Sequence, residues 1–410
     1  MKTAVIYDKW LSGLGGGEVV ACNVARILKD NGYDVLFLSK DKVPVEKIKS
    51  TLGIDLSDVT FKQVANERDL LLTTNDYRLL TSDYRPPTID LFINISFMDY
   101  SYGIAKKNIY YTHFPTPMRG FLFNLILTFF QTTGIYTLFP SRYYQLVRDR
   151  IRAGIFFDMK RRLASYDLVL SNSKYTQKWI KRYWERDAQV LYPPVNFLTT
   201  NHQPLATSTK GRLPSGQKQN WIVSVGRFFT LGHGKKQEIL IEAFKKLYSE
   251  LTTSHQPLAT NLQLHLIGGV GKEPSSLRYV EQLKEMAKGY PIFFHFNIKQ
   301  EEVEKILMQS KIYWHATGYG VDKEKYPIRF EHFGIAPVEA ISAGCIPILF
   351  NGGGLPEIIE KLHLPMKNHL FTTAEELIQK TTVCLAETPI KTTDTFSRTT
   401  FEKNLLGILK

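Results

Sequence analysis

The chain has 410 residues, 43% of them hydrophobic, which is enough material for about two domains of ordinary size. Lys and Arg number 52 against 39 for Asp and Glu, and the net charge of +13 favours anionic partners such as nucleotide phosphates, acidic lipid headgroups or nucleic acid. Cys22, Cys345 and Cys384 lie far apart and show no Cys-x-x-Cys spacing, which argues against a disulfide framework or a zinc site.

The beginning of the chain alternates apolar runs with helical patterns, which is typical of βαβ units and a parallel sheet. The pattern predicts a strand over residues 3–7, a helix over 17–31 and a strand over 34–38. The first apolar run is too short for a signal peptide, so we expect a cytoplasmic protein or one on a cytosol-facing membrane.

A glycine-rich turn, Ser12-Gly-Leu-Gly-Gly-Gly-Glu18, separates the first predicted strand from the first helix. Gly15, Gly16 and Gly17 allow the backbone to approach a ligand closely, and the helix N-terminus favours phosphate or acceptor oxygens. A tight strand-to-helix turn without a ligand explains the glycines equally well. A nicotinamide-binding domain is disfavoured, because Glu18 stands where the last glycine of Gly-x-Gly-x-x-Gly should follow.

His113 ends an apolar segment and is followed by Phe and two nearby prolines. At the carboxyl end of a parallel strand, a histidine faces the crevice in which open α/β sheets bind ligands. A histidine that only packs in the core or at the sheet edge is the alternative interpretation.

Residues 120–139 are apolar but interrupted by polar residues, so they form a poor membrane-spanning helix. Seven basic residues between Arg142 and Arg162 follow them. Together they suit an amphipathic segment lying on a membrane surface, and an ordinary buried helix is the other interpretation.

The alternation of strands and helices returns after residue 220, with strands predicted over 221–225, 262–267 and 291–296 and a helix over 238–251. A polar stretch before it, containing Pro, Gly, Ser and Thr, is typical of a linker. We therefore predict an α/β protein with two doubly wound, Rossmann-like domains, residues 1–195 and 221–410, joined by a linker over 196–220. Packing of the last helix back on the first domain is an option.

Two basic residues, Arg227 after one predicted strand and Lys235 before the next helix, are candidates for binding a diphosphate. A guanidinium and an ammonium that arrive from a strand end and a helix start can neutralise such a leaving group without a metal ion. Lys236 is the alternative to Lys235, because the long loop between strand and helix leaves this choice open. Either residue alone would be interpreted as a surface residue.

Two carboxylates eight positions apart, Glu331 and Glu339, straddle Gly334 and the start of a helix. The backbone N–H groups near Phe333, Gly334 and Ile335 are then available to a phosphate or a sugar. The spacing resembles the Glu-x7-Glu motif of retaining glycosyltransferases of the GT-B fold, in family 4, the glycosyl transferases group 1. Three further segments are similar to its lipid-linked oligosaccharide α-1,2-mannosyltransferase branch: Tyr111-Thr-His-Phe-Pro-Thr116, Asn172-Ser-Lys-Tyr-Thr176 and Tyr192-Pro-Pro194.

The resemblance implies a GT-B fold with an interdomain cleft, an acceptor site in the N-terminal domain and a nucleotide-sugar site in the C-terminal one. It implies metal-independent transfer with retention of configuration, in which His113 and Glu331 lie beside the transferred sugar. Glu339 then hydrogen-bonds the ribose, and Arg227 and Lys235 hold the diphosphate.

The same resemblance implies a mannosyltransferase that uses GDP-mannose, with a UDP-sugar as the second choice of donor. The acceptor is expected to be a glycan or a lipid-linked glycan, with peripheral membrane contact through residues 120–139, and no cofactor is expected. A nucleotide-sugar epimerase and a catalytically silent protein of the same fold are the alternatives. A nucleic-acid-binding protein would explain the positive charge, but no recognised motif with interleaved aromatic residues supports it.

Overall fold

The computed structural model describes residues 2–64, 89–97, 99, 101–117, 159–195, 218–229, 234–254, 261–388 and 394–410. The chain divides into two compact units, one formed by Met1–Tyr192 with Asn404–Lys410 and the other by Pro193–Lys403. Most of the predicted linker, residues 196–217, and all of the segment 120–139 lie outside the described residues.

The described part of the first unit contains a seven-stranded parallel sheet in the order β3-β2-β1-β4-β5-β6-β7. Its strands are β1 (Lys2–Tyr7), β2 (Tyr33–Ser39), β3 (Thr60–Gln63), β4 (Leu91–Asn94), β5 (Lys107–Thr112), β6 (Leu168–Ser171) and β7 (Gln189–Val190). Its helices are α1 (Gly16–Asp30), α2 (Val45–Leu52), α3 (Met159–Ala164) and α4 (Lys174–Trp184).

The described part of the second unit contains a six-stranded parallel sheet in the order β10-β9-β8-β11-β12-β13. Its strands are β8 (Gln219–Val225), β9 (Gln263–Gly268), β10 (Ile292–Phe296), β11 (Ser310–His315), β12 (Ile346–Phe350) and β13 (Leu370–Phe371). Its helices are α5 (Gln237–Thr253), α6 (Pro274–Ala287), α7 (Gln300–Gln309), α8 (Ile335–Ser342), α9 (Leu355–Lys361), α10 (Met366–His369) and α11 (Ala374–Cys384). The last helix, α12 (Arg398–Leu409), begins in the second unit and continues into the first, which includes Asn404–Lys410.

The central strands of both sheets are buried on both faces, which is why they appear in the sequence as continuous apolar runs rather than alternating ones. In β1 the five residues after Lys2 are all buried. In β11 Ile312, Tyr313 and Trp314 have no exposed surface. Helices such as α1 and α5 cover these strands with their apolar sides.

The order of strands reverses between β1 and β4 in the first sheet and between β8 and β11 in the second. Open α/β sheets bind their ligands in the crevice at the carboxyl ends of the strands beside such a reversal. Residues that follow β1, β4, β8 and β11 are therefore well placed to take part in binding.

The predicted architecture of two Rossmann-like, parallel-sheet domains is confirmed. The strand predicted over 221–225 is β8, which begins two residues earlier, and the helix predicted over 17–31 is α1, displaced by one residue. In the first unit, Lys107 Nζ donates hydrogen bonds to the carbonyls of Ile408 and Leu409, at 3.0 and 3.1 Å. Lys107 thus satisfies two carbonyls at the end of α12, which the helix itself leaves without partners.

Candidate functional site

Glu331 is the centre of a polar cluster at the carboxyl ends of β8 and β11. Its Oε2 accepts a hydrogen bond from Lys235 Nζ at 2.6 Å and another from His315 Nε2 at 2.8 Å. The Glu331 and Lys235 side chains keep 16% and 15% of their surface exposed, so the pair is accessible from one side. The structure thus brings together Lys235 and Glu331, two of the residues that the sequence selected for different parts of a donor.

His315 is the buried member of this cluster. Its Nδ1 lies 3.2 Å from the Tyr313 hydroxyl, and its Nε2 also lies 2.9 Å from Thr317 Oγ1. Burial lowers the pKa of His315, and the nearby charge of Lys235 lowers it further, while Glu331 acts in the opposite direction. The imidazole is therefore neutral at neutral pH.

Lys235, rather than Lys236, is the lysine directed at Glu331. Its aliphatic chain covers Gly226, where an added Cβ would lie only 2.5 Å from Lys235 Cγ. Lys236 begins α5 in the left-handed conformation, and its Nζ lies 3.9 Å from Glu238 Oε1. A side chain at position 226 would displace Lys235, which gives a physical reason for the glycine after β8.

Arg227 follows Gly226 and has an exposed side chain. Its backbone is held by the buried Gln237, whose Nε2 donates to the carbonyls of Gly226 and Arg227 at 3.3 and 3.2 Å. The Tyr279 hydroxyl, from α6, lies 3.1 Å from Gln237 Oε1. The guanidinium is thus carried by a fixed backbone and is open to solvent, as a phosphate-binding side chain requires.

The segment from Glu331 to α8 is shaped by glycines. Gly334 precedes α8 with a φ of 108°, a conformation that residues with a Cβ rarely adopt. A Cβ on Gly354 would lie 2.2 Å from the carbonyl of His332, so the glycine turn before α9 packs directly on the backbone beside Glu331. Since the first N–H groups of a helix lack partners within it, the amides of Gly334 and Ile335 are suited to an anionic or hydroxyl ligand.

Phe333 differs from its neighbours, because its side chain belongs to the core. It is 2% exposed, and its ring packs edge-on against Phe396 at 5.2 Å between centroids. Only the backbone of Phe333 can therefore contribute to ligand binding as the sequence predicted.

Glu339 lies on α8, eight residues after Glu331, and is partly buried. Burial raises its pKa to about 7, and the nearby Glu304 adds to the effect. A carboxyl group with a shifted pKa in a crevice is common at functional sites, although structural networks produce such shifts as well.

In the first unit, His113 and the glycine turn meet beside the reversal between β1 and β4. A Cβ on Gly17 would lie 3.1 Å from His113 Nε2, which itself lies 3.0 Å from the carbonyl of Ile95. Since that carbonyl can only accept, Nε2 carries the proton and Nδ1 is a hydrogen-bond acceptor. Burial lowers the pKa of His113 to about 4, so the ring is neutral at neutral pH.

Glu18 caps the N-terminus of α1, because its Oε2 accepts a hydrogen bond from the backbone N–H of Gly15 at 2.5 Å. Next to it, Asp8 follows β1 and is 3% exposed, and its Oδ2 has no hydrogen-bond partner among the described residues. Burial and the charge of Glu18 raise the pKa of Asp8 to about 8. The structure therefore places Gly15 before α1 and Gly16 and Gly17 in its first turn, close to two acidic side chains.

His315, Gln237 and Asp8 were not selected from the sequence. His315 and Asp8 are polar residues directly at the end of an apolar strand, which is the same signal that selected His113. Gln237 lies inside a helical pattern and offers no comparable signal.

The sequence leaves two interpretations of the segment 120–139 and its basic flank, a surface on a membrane and an ordinary buried helix, and for Arg162 the first is wrong. Arg162 is 1% exposed, and its guanidinium pairs with Asp99 at 3.1 Å.

Within the described residues, no helix has the length and the apolar character to span a membrane. The three cysteines are free and buried. Among the residues that the structure describes, no group of three or more His, Cys, Asp or Glu side chains could hold a metal ion.

Comparison with known proteins finds a family match within the second unit. Residues 207–380 match the family Glycosyl transferases group 1, and this range contains Arg227, Lys235, Glu331 and Glu339. The GDP-Man:Man(3)GlcNAc(2)-PP-Dol alpha-1,2-mannosyltransferase of Dictyostelium discoideum is 25% identical over 258 residues, which are 61% of this chain and 46% of that protein. The chain thus spans about half the length of this relative.

Two further similarities extend over more of the chain. The alpha-1,3/1,6-mannosyltransferase ALG2 of Candida glabrata is 24% identical over 388 residues, which are 85% of this chain and 76% of that protein. The crystal structure of a glycosyltransferase from Rickettsia africae ESF-5 aligns over 99% of this chain and 97% of that protein, with a TM-score of 0.61 and 15% identity. At this identity the similarity is one of fold alone. The chain therefore carries a glycosyl transferases group 1 domain, and its two Rossmann-like domains are those of the GT-B fold.

Proposed function

We propose that the protein is a glycosyltransferase whose second unit binds a nucleotide-sugar donor. The observation that carries this proposal is the cluster of Lys235 and Glu331 at the carboxyl ends of β8 and β11, inside the range that matches the family. An ammonium, a carboxylate and the start of a helix at one sheet edge offer partners for a diphosphate and for sugar hydroxyls.

Each residue that the sequence predicted for the donor site has a role in this proposal. Arg227 and Lys235 neutralise the departing diphosphate, which makes a metal ion unnecessary. Glu331 and the amides near Gly334 bind the transferred sugar, and Glu339 accepts hydrogen bonds from the ribose. Transfer proceeds with retention of configuration, and the departing phosphate takes the proton of the acceptor hydroxyl.

Mannose from GDP-mannose is the proposed donor sugar. Its support is that the matched relatives from Dictyostelium discoideum and Candida glabrata are named mannosyltransferases, and that the first name contains GDP-Man. A UDP-sugar is the alternative donor, and binding measurements separate the two.

The proposed acceptor is a glycan or a lipid-linked glycan, bound by the first unit at Gly15, Gly16 and Gly17, and His113 is proposed to face the transferred sugar. With Nε2 engaged by Ile95, the ring of His113 offers Nδ1 as an acceptor to a sugar hydroxyl. For a lipid-linked acceptor, we propose that the protein works at the cytosolic face of a membrane.

Calorimetric binding of GDP, UDP, GDP-mannose and UDP-glucose, without divalent metal, tests the donor site. We expect one nucleotide family to bind the wild type, and Glu339→Ala to weaken binding at least tenfold because the ribose loses its partner. Glu242→Ala is the matched control, since it removes an exposed carboxylate from α5 in the same unit. If the folded protein binds none of these nucleotides, the proposed donor site is wrong.

A second experiment separates a transferase from an epimerase and from a silent protein of the same fold. Radiolabelled GDP-mannose and UDP-glucose are incubated with the protein, a chelator and extracted lipid-linked glycans. Label that moves to the glycan fraction, and is lost in Glu331→Gln, indicates a transferase. Conversion of the donor sugar without an acceptor indicates an epimerase, and binding without any turnover indicates a silent protein.

A further inference from the structure

Four side chains form a continuous hydrogen-bonded row in the second unit: Tyr313, His315, Glu331 and Lys235. Because a carboxylate can only accept, the hydrogen between His315 and Glu331 belongs to Nε2. His315 Nδ1 is then an acceptor, and the Tyr313 hydroxyl at 3.2 Å is its donor. The neutral ring thus has a defined tautomer and holds Glu331 Oε2 with a single N–H.

Two negative groups compete for the Lys235 ammonium in the proposed donor complex. Its ammonium now forms a 2.6 Å ion pair with Glu331, whereas the proposed function requires it to neutralise the diphosphate of the donor. When Nζ turns to the diphosphate, Glu331 loses a cationic partner and new negative charge arrives near the cluster. A partly buried carboxylate left in that state is unfavourable unless another cation replaces the lysine.

We propose that His315 supplies that cation: it is a positioning residue that takes up one proton when the donor binds, and its imidazolium then holds Glu331 in place of Lys235. The inference rests on the proposed function, because it requires a donor diphosphate at Lys235.

The hydrogen bonds around His315 can accommodate the added proton without moving an atom heavier than hydrogen. A protonated ring carries hydrogen on Nδ1 as well, so the Tyr313 oxygen must become an acceptor. The Tyr313 hydroxyl also lies 3.4 Å from the carbonyl of Val225, which can take the hydrogen that the ring no longer accepts. The proton comes from solvent, and no bond between heavy atoms forms or breaks.

The electrostatic surroundings of His315 favour uptake in this direction. In the free protein, burial and the charge of Lys235 lower the pKa of His315, and Glu331 raises it. Departure of the ammonium removes one of the lowering effects, and the diphosphate adds a raising one. Since the bound state then holds more protons, donor affinity falls as pH rises between the free and the bound pKa of His315, by up to about tenfold per pH unit.

Calorimetry in two buffers of different ionisation enthalpy measures the protons taken up per bound donor. The probes are GDP-mannose and UDP-glucose, whose diphosphates have no proton to lose near neutral pH. We expect wild-type protein to take up as much as one proton more than His315→Gln at the pH of largest uptake. Glu339, whose pKa is about 7, contributes alike to both proteins and cancels in the difference.

His265→Gln is the matched control. His265 is a buried histidine of β9 whose pKa is also lowered by burial, to about 4, and its ring contacts His295 rather than Glu331. Its replacement is expected to leave the proton count of donor binding unchanged.

Equal proton counts in wild type and His315→Gln, with donor binding retained, overturn this inference and leave the proposed function standing. Failure of both nucleotide sugars to bind folded wild type overturns the two together. Tyr313→Phe covers the case in which His315→Gln does not fold. Without the Tyr313 oxygen the imidazolium loses an acceptor, so the uptake should shift to lower pH, and an unshifted profile contradicts the inference.

Discussion

Among single residues, Gly17 and His113 show how closely backbone and side chain are matched in the first unit. Gly17 lies in the first turn of α1, and its missing side chain leaves room for the imidazole. The ring in turn reaches the carbonyl of Ile95 and is partly buried. The position of His113 therefore depends on a residue that has no side chain of its own.

Replacing Gly17 by Ala tests this dependence. Alanine favours a helix by about 0.5–1 kcal/mol over glycine, so the free energy of unfolding should be unchanged or slightly higher. The new methyl group should push the ring away from Ile95 and towards water, which raises the pKa of His113 from about 4 towards its ordinary value. NMR titration of the histidine signals measures this change.

Gly407→Ala provides the control for helix propensity. Gly407 lies in α12, and a Cβ there would meet no atom within 4 Å. It should give the same gain in stability without moving the His113 titration. An unaltered titration in Gly17→Ala would show that the ring tolerates the methyl group and that the contact has no consequence.

At the scale of elements, a buried ion pair joins the loop after β4 to helix α3. Arg162 donates to Asp99 at 3.1 Å and to the carbonyl of Ser101 at 2.9 Å, and its guanidinium lies 4.4 Å from the centre of the Tyr110 ring. Asp99 also accepts from Asn94, the residue before Ile95. This network fixes the loop whose carbonyl positions His113.

Removal of the arginine should be costly, because it leaves the buried carboxylate of Asp99 without its cationic partner. We expect Arg162→Met to lower the free energy of unfolding by about 3–5 kcal/mol, and the double variant with Asp99→Leu to recover part of it. Chemical denaturation of the four members of this mutant cycle gives the coupling energy.

An exposed ion pair in the same unit serves as the comparison. Lys181 and Asp187 keep 62% and 91% of their side-chain surface exposed, and Lys181→Met should cost less than about 1 kcal/mol. A similar small loss for Arg162→Met would mean that water reaches Asp99 once the arginine is gone.

In the whole molecule, the proposed donor-binding residues all belong to one of the two compact units. Arg227, Lys235, Glu331 and Glu339 lie in Pro193–Lys403, which has its own sheet and its own hydrophobic core. The first unit has a separate core around β1, β4 and β5. Thermal stability is therefore expected to be a property of each unit, and a donor should stabilise the second.

Scanning calorimetry should show two unfolding transitions, of which GDP-mannose raises only one. At a concentration of 100 times its Kd, a ligand adds about 2.7 kcal/mol to the stability of the unit that binds it. Hydrogen exchange followed by mass spectrometry assigns the transitions to their units. At the same ligand concentration, a tenfold loss of affinity in Glu339→Ala should cut this stabilisation to about 1.4 kcal/mol or less, and equal shifts of both transitions would contradict a donor site confined to the second unit.

Much of the architecture could be predicted because it depends on local sequence patterns. The apolar runs of β1 and β8 and the glycines before α1 and α8 each act through neighbours in the chain. Lys235 was selected by its place before a helix and Glu331 by the Glu-x7-Glu spacing, both of which are local signals. Their direct contact, across 96 residues, was not predicted.

What the sequence did not predict depends on contacts between distant residues. Arg162 follows a run of basic residues that suggests an exposed flank, and its partner Asp99 lies 63 positions earlier. His315 ends an apolar strand, but its hydrogen bond with Glu331 exists only in the folded protein, in which the two side chains lie 2.8 Å apart. No local pattern records that either side chain is buried with a charged partner.

The hydrogen bonds of Gln237 affect how a mutational scan of this protein would be interpreted. Gln237 orients the carbonyls of Gly226 and Arg227, and Tyr279 in turn orients Gln237 from another helix. An activity-based scan would therefore score both residues together with those that touch the donor, although neither needs to contact it. The residues sensitive to substitution would therefore extend beyond the binding surface into α6. The size of the ligand would be overestimated if all of them were taken as contacts.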